Sequence, residues 1–453
     1  MPDVRGTRRA WRGSVLHYTT DSEDARAPYT AHCFDDGLLV VVDGKVDACG
    51  PAAEMLESLP PTTPVVDLRG RWIMPGFIDT HVHYAQTAII ASYGAQLLDW
   101  LEKYTYPAER RFSDPAYARE AAEFFLTELL GNGTTSAVVF PTVHKASVDA
   151  LFEAAQARNM RLVTGKVMMD RNCPEFLRDT AQSSYDDSKE LIERWHGRGR
   201  LHYAVTPRFA PTSTEAQLKL AGRLAHEHPG LYVQSHVAEN RAEVRWAAEL
   251  FPTARSYLDV YDQYGLLGPR TVYAHCIHLD AADRVRMAAA GAVMSFCATS
   301  NLFLGSGLFD RDAANAAGAY VTFGTDVAGG TSFSMLRTMH EAYKVLQLAG
   351  QTLTAVDAFY LATRGAANAL GLSERIGSFA PGTEADFVVL DPDATPLLSR
   401  RMAMAETLAE RLFALMILGD DRTIVATYLQ GELAHDRDAA PQFARPKPPV
   451  RPA

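Results

Sequence analysis

Cysteine is scarce and unpaired in this sequence: Cys33, Cys49, Cys173, Cys276 and Cys297 lie far apart, and no two form a C-x-x-C. An odd, scattered set excludes a disulfide-stapled secreted framework and fits a reducing compartment, so a cytoplasmic location is expected. Long apolar runs are missing too; no stretch approaches the ~20 residues of a membrane span. The N-terminal MPDVRGTRRAWRGS is basic but has no apolar stretch behind it, unlike a secretory signal. Positive charge is in deficit. With 44 Lys+Arg against 54 Asp+Glu the net charge is −10, which leaves no basic footprint for a phosphate backbone. Neither nucleic acid nor membrane is an expected partner.

What the chain has is apolar material: 453 residues with 47% hydrophobic content supply a large core and exceed one small domain. Residues 38–49, LLVVVDGKVDAC, place two apolar runs around Asp43-Gly44, a dipeptide suited to a tight hairpin. Near the other end, Ala385 to Leu390 and Ile424 to Leu429 are strand-like, while the tail after Ala439 holds too much proline to pack regularly. The two ends together are expected to build one small β-sandwich domain, residues 1–72 with 381–453. Between them, residues 73–380 alternate short apolar runs with helical stretches, the mark of βα units on a parallel sheet. Eight runs can be counted, near Trp72–Ile78, Thr134–Phe140, Arg161–Met168, Leu201–Val205, Leu231–Gln234, Thr271–Ala274, Ala292–Cys297 and Tyr320–Gly324. Asp114-Pro115 and Gly131/Gly133 supply proper ends for one intervening helix. The expected fold is α/β, a (β/α)₈ barrel, with chemistry at the C-terminal strand ends. An open doubly wound sheet stays possible on pattern alone.

Histidines and acids recur just where those ends fall. His81 and His83 follow the first run in IDTHVHYAQ; in an extended H-x-H both imidazoles share one side of the chain and can meet one ion. His236 ends the fifth run in QSHVAEN, His275 the sixth in VYAHC, and Asp326 the eighth in FGTDVAGG. Alone, each is more often structural, a satisfied core histidine or a turn-forming aspartate. Together they form the imidazole–carboxylate mixture that suits zinc, with thiolates absent from the set. Glu239, three residues after His236, is placed to move protons as general acid and base. His144, His278 and His340 have no partner pattern, and an ordinary structural role is expected for each. Lys166 in TGKVMMD is expected to pair with an acid such as Asp170 rather than to bridge two metals. The aromatic run Trp100 to Tyr106 is apolar enough to cover a mouth, though packed core or a dimer contact would use it equally.

PGFIDTHVHYAQ resembles the first-strand signature of the amidohydrolase superfamily, and GSFAPGTEADFVVLD resembles its return to the small β domain. Further segments resemble the guanine deaminase family within it: LLDWLEKYTYPAE, GKVMMDRN, VTPRFAPT, SHVAENRAEV, LFLGSGLF, GTDVAGGTSFSML and LGDDRTI. The resemblance implies hydrolytic deamination of guanine to xanthine and ammonia with one zinc ion per chain, often in a homodimer. It makes His81, His83, His236 and Asp326 zinc ligands, with His275 a further ligand or a partner of the attacking water. It makes Glu239 the proton shuttle, with His275 and Asp326 also catalytic. Purine contacts fall on Gln86, Arg208 and Phe209, beside His236, Glu239 and Asp326. An amide and a guanidinium can read polar ring edges while Phe209 offers an apolar face.

The sequence departs from that pattern in places. MSFCATSN has Phe296 and Ala298 where relatives usually show a histidine and a proline, and HVAEN has Ala238 where a serine is common. Ala85 likewise replaces a frequent proline or small polar residue. Phe296, near a strand end, is expected to reshape the pocket floor or remove a supporting hydrogen bond, which bears on substrate preference more than on reaction type. Two alternatives therefore accompany the main reading: a related amidohydrolase acting on another purine, pyrimidine or triazine, and a non-catalytic scaffold on the same barrel.

Overall fold

The structure, a computed structural model, describes residues 7–20, 28–94 and 96–439. The tail read as proline-rich lies outside these residues. From the N-terminus the strands are β1 (Arg8–Thr20), β2 (Tyr29–Val42), β3 (Lys45–Pro51) and β4 (Val65–Pro75). Then follow β5 (Phe77–His83), β6 (Thr134–Phe140), β7 (Arg161–Thr164), β8 (Val167–Met168) and β9 (Leu201–Pro207). The run continues with β10 (Tyr232–Val237), β11 (Thr271–His275), β12 (Val293–Phe296) and β13 (Tyr320–Phe323). It closes with β14 (Phe387–Leu390), β15 (Ile424–Leu429) and β16 (Glu432–Asp436).

Both chain ends enter one seven-stranded sheet, ordered β16-β15-β14-β4-β1-β2-β3. The hairpin between β2 and β3 turns on Asp43 and Gly44, both at positive φ (50° and 76°), as the dipeptide suggests. Side chains alternate across this sheet with a period of two. Trp11, Ile73, Phe387 and Val389 bury together on one face, while Trp72, Met74, Val388 and Leu390 join the large core that includes the barrel helices.

The other sheet runs β13-β12-β11-β10-β9-β7-β6-β5, all parallel. One inward residue from each of seven strands, Ile78, Val138, Val163, Ala204, Tyr232, Val272 and Val293, meets the others in a single cluster, with Tyr320 of β13 packed against it. Only a sheet curled on itself brings all eight strands to one cluster, so the barrel reading prevails over the open sheet. The helix Arg364–Ala369 plugs this end. Between β5 and β13 no ladder runs, and the seam is held by Asp326 N–H to His81 O (2.8 Å), His83 N–H to Val327 O (3.1 Å) and Thr80 Oγ1 to Phe323 O (2.9 Å).

Two differences from the sequence reading have local causes. The first expected run, Trp72–Ile78, is not one strand: Trp72 to Pro75 complete β4 in the small sheet, and the barrel strand begins at Phe77. Gly76 makes the crossing, and a Cβ there would stand 2.2 Å from the Thr135 side chain, so no other residue fits without displacement. Hydrophobic periodicity carries no trace of that close approach. Secondly, the C-terminal segment contains two helices, Pro396–Met402 and Leu408–Leu418, and the Phe413 ring of the latter packs on Tyr343 at 5.1 Å. A Thr407/Glu410 capping box opens that helix, and T-x-x-E was legible in the sequence as its start. Among the described residues no helix is long and apolar enough to cross a membrane.

Candidate active site

The seam of the barrel is where the polar chemistry gathers. His81 and His83 leave β5 on the same side, as period two requires, and Asp326 faces them from just beyond β13. His81 Nε2 and His83 Nε2 stand 3.2 and 3.3 Å from Asp326 Oδ1, and His83 Nε2 stands 3.1 Å from His236 Nε2. His275, at the end of β11, brings Nε2 to 3.8 Å from Asp326 Oδ2 and 3.3 Å from Glu239 Oε2. All five residues sequence reading offered as ligands thus lie in one cluster, with Glu239 at its edge.

The donor chemistry fits a small divalent cation. Nδ1 of His236 meets the Arg208 carbonyl at 2.6 Å, and Nδ1 of His275 meets Asn301 Oδ1 at 2.9 Å. Donation at Nδ1 turns the Nε2 lone pair of each ring inward. His81 Nε2 is buried and, although 3.2 Å from Asp326 Oδ1, has no hydrogen-bond partner. Ligand atoms bound at 2.0–2.1 Å around a tetrahedral ion stand about 3.3 Å apart, the spacing found here. Burial pushes His83 and His236 well below the usual imidazole range, so both rings are neutral donors. Burial opposes charge on Asp326 as well, but the neighbouring His81 and His275 hold its carboxyl down at about 2.

Glu239 is different. Burial pushes its carboxyl up to about 7, with His275 opposing and Glu243 and Asp326 adding to the rise. A carboxyl poised there can accept and return a proton near neutral pH. Ser306 Oγ donates to its Oε1 at 2.8 Å, which leaves Oε2 toward His275. The backbone is also drawn out of ordinary conformations: Ala238, His275, Cys276 and Asp326 all have positive φ, between 51° and 71°. Non-glycine residues in that region cost about 1–3 kcal/mol each, and such strain concentrates at functional sites.

A pocket of about 430 Å³, its open mouth included, joins this cluster to Gln86, Arg208 and Phe209 on one side and to Leu97, Trp100 and Leu101 on another. Residues 72–434 match the amidohydrolase family. The chain belongs to the amidohydrolase family. Guanine deaminase of Escherichia coli (strain K12) is 51% identical over 433 residues, spanning 95% of this chain and 99% of the relative. The solved structure of E. coli guanine deaminase superimposes with a TM-score of 0.91 at 50% identity, over 95% of this chain and 99% of that one. Guanine deaminase from C. acetobutylicum, solved with guanine bound in the active site, matches with a TM-score of 0.84 at 29% identity, over 94% and 99%.

Within this amidohydrolase barrel, the less certain sequence readings separate. Lys166 forms an ion pair with Asp179, not with Asp170, whose carboxylate accepts from Thr214 N–H at 2.7 Å. His278 Nε2 meets the carbonyl of Ser306, the residue whose hydroxyl holds Glu239, at 3.0 Å. Sequence reading missed Cys297, whose sulfur lies within 4.8 Å of ligand atoms of His81, His275 and Asp326, so a thiol does border the set. It missed Glu109, Asn301 and Ser306 as well. Of these, Ser306 and Glu109 lay inside the quoted LFLGSGLF and LLDWLEKYTYPAE, but only contact geometry assigns them partners.

Phe296 does not form the pocket floor. Strand alternation turns Ser295 inward, where its Oγ meets Thr80 Oγ1 at 2.7 Å, and turns Phe296 outward to stack on Phe309 at 4.6 Å. Phe296→Ala is accordingly expected to cost roughly 3 kcal/mol of stability by leaving a cavity, with the ranking of substrates unchanged. Chemical denaturation alongside a substrate panel checks both halves.

Proposed function

We propose that this protein is a guanine deaminase that hydrolyses guanine to xanthine and ammonia with one zinc ion per chain. The observation that carries this reading is the single pocket that joins the His/Asp cluster and Glu239 to an amide, a guanidinium and an aromatic ring. Its 51% identity to a curated guanine deaminase over nearly the whole chain supports the substrate.

Zinc held by His81, His83, His236 and Asp326, with His275 beside it, would supply Lewis acidity and lower the pKa of a bound water. The chain's own residues do the rest. Arg208, a donor only, faces a ring carbonyl, and Gln86 addresses the neighbouring polar edge. Phe209 presents an apolar face to the purine plane. These contacts leave the amine-bearing C2 toward Glu239. Glu239 accepts a proton from the attacking water, passes it to a ring nitrogen, and delivers the second proton to the departing amine. Atoms balance: guanine and water give xanthine and ammonia. In its protonated form His275 donates from Nε2 to the oxygen that joins C2, and the Asp326 carboxylate, an acceptor only, takes that oxygen's O–H. Leu97, Trp100 and Leu101 exclude bulk water from the pocket. The reading extends to a cytoplasmic homodimer in purine breakdown, and five free thiols are consistent with a reducing compartment.

Ammonia release from guanine, run beside adenine, cytosine, 8-oxoguanine and ammeline, tests the proposal. Guanine is expected to be preferred over adenine by at least about tenfold in kcat/KM, because an arginine placed to meet a carbonyl rejects an amine there. Preference for another ring would move the substrate and keep the reaction type. No turnover on any of them, with zinc loaded, would return the barrel to the scaffold alternative.

A further inference from the structure

Behind the wall of the pocket that meets the purine lies a charge that the proposed chemistry does not use. Glu109, on the helix Tyr106–Arg110, is fully buried and does not line the pocket. Its Oε1 and Oε2 accept from Arg208 Nη1 at 2.8 and 2.9 Å, and Oε1 also accepts from Gln86 Nε2 at 3.2 Å. Gln86 and Arg208 both line the pocket, and the Tyr106 ring stands 5.6 Å from the guanidinium carbon. Arg208 is therefore fixed from behind by a carboxylate that cancels its charge in place, while Nε and Nη2 remain outside that contact.

Charge compensation changes what such an arginine selects. A lone guanidinium in a dry pocket favours an anion far above a neutral carbonyl, because Coulombic attraction is strong at low dielectric. A guanidinium already paired offers hydrogen-bond donors with little net charge. The distinction bears on this reaction, since exchanging the ring amine for an oxo group turns an amidine into an imide, whose N–H is more acidic. An uncompensated Arg208 would hold the deprotonated product more tightly than the neutral substrate.

We propose that Glu109 is a positioning and specificity residue: by neutralising Arg208 it lets the pocket read a ring carbonyl without gripping anionic purines, the ionised product included. The role in product release rests on the guanine deaminase reading; the charge selectivity rests on pocket geometry alone.

The test is calorimetric binding of two carbonyl purines to the zinc-loaded protein at one pH: hypoxanthine, neutral and without the reactive amine, and urate, an anion. In Glu109→Gln the Kd ratio of urate to hypoxanthine is expected to fall by about tenfold or more. In the double variant E109Q/R208Q, which replaces a buried ion pair with two amides, the ratio is expected to return to the wild-type value or above it. A ratio within about twofold of wild type in E109Q overturns the proposal, and so does urate tightening that survives in the double variant. Should E109Q alone not fold, the double variant still decides, because urate bound more tightly there than in wild type is incompatible with the role given to Arg208. Wild-type protein that binds both purines but releases no ammonia from guanine would refute the functional reading and leave the charge selectivity to be judged by the ratio.

Discussion

Glu239→Gln is expected to lower kcat for guanine by roughly 10³-fold while zinc content and KM stay close to wild type. Glutamine is nearly isosteric and can still accept from Ser306 Oγ, so the contact that holds Oε1 at 2.8 Å is retained. What it loses is the ability to take a proton from water and return it to nitrogen. Both transfers run through one side chain, which is why the loss should exceed that from removing a merely orienting group. Metal retention follows from the positions: Glu239 meets the cluster through His275 at 3.3 Å and stands outside the four residues proposed to hold the ion. Steady-state ammonia release with metal analysis on the same sample checks it. Turnover within tenfold of wild type would remove Glu239 from the proton path; loss of metal in parallel would make it a ligand instead.

The barrel was legible because its parallel strands, buried on both faces, leave short apolar runs separated by helices with clear caps. The Asp114-Pro115 start is an example: the Asp114 side chain accepts from Ala116 N–H at 2.9 Å with Pro115 in the first turn. The histidines and Asp326 were legible for a topological reason, since a closed parallel sheet sends every strand end to one mouth. Contacts between side chains distant in sequence were not. Nothing along the chain links Glu109 to Arg208 across 99 residues or Ser306 to Glu239 across 67. Phe296 went astray on parity: proximity to a strand end places a residue near the mouth, but period two decides whether it faces in or out, and the register was not fixed until Ser295 met Thr80. Lys166 found Asp179 rather than Asp170 because Asp170 is already engaged by Thr214.

Stripping the metal is expected to abolish ammonia release, by about 10³-fold or more, and one equivalent of zinc is expected to restore it. The stoichiometry follows from the side chains that border the cluster. A second ion would need a bridging group between the strand ends, and the buried lysine nearest to that role, Lys166, is held in an ion pair with Asp179 and close to the Val167 carbonyl. Removal should also be felt in stability. Without the cation, His81 Nε2 is buried with no hydrogen-bond partner, and Asp326 stays buried and ionised among the imidazoles. A ligand present at 1,000 times its Kd adds about 4 kcal/mol to the folded state, so thermal unfolding should shift downward on chelation and recover with zinc. Measuring activity, metal content and unfolding together separates the readings. A chelated protein that keeps its activity would end the metal-dependent mechanism, and one that needs two equivalents would call for a second site. A scaffold built on this barrel predicts neither loss: it would have no reason to gather four histidines and a charged aspartate around one point at the cost of desolvation, a cost that an ion shared among them offsets.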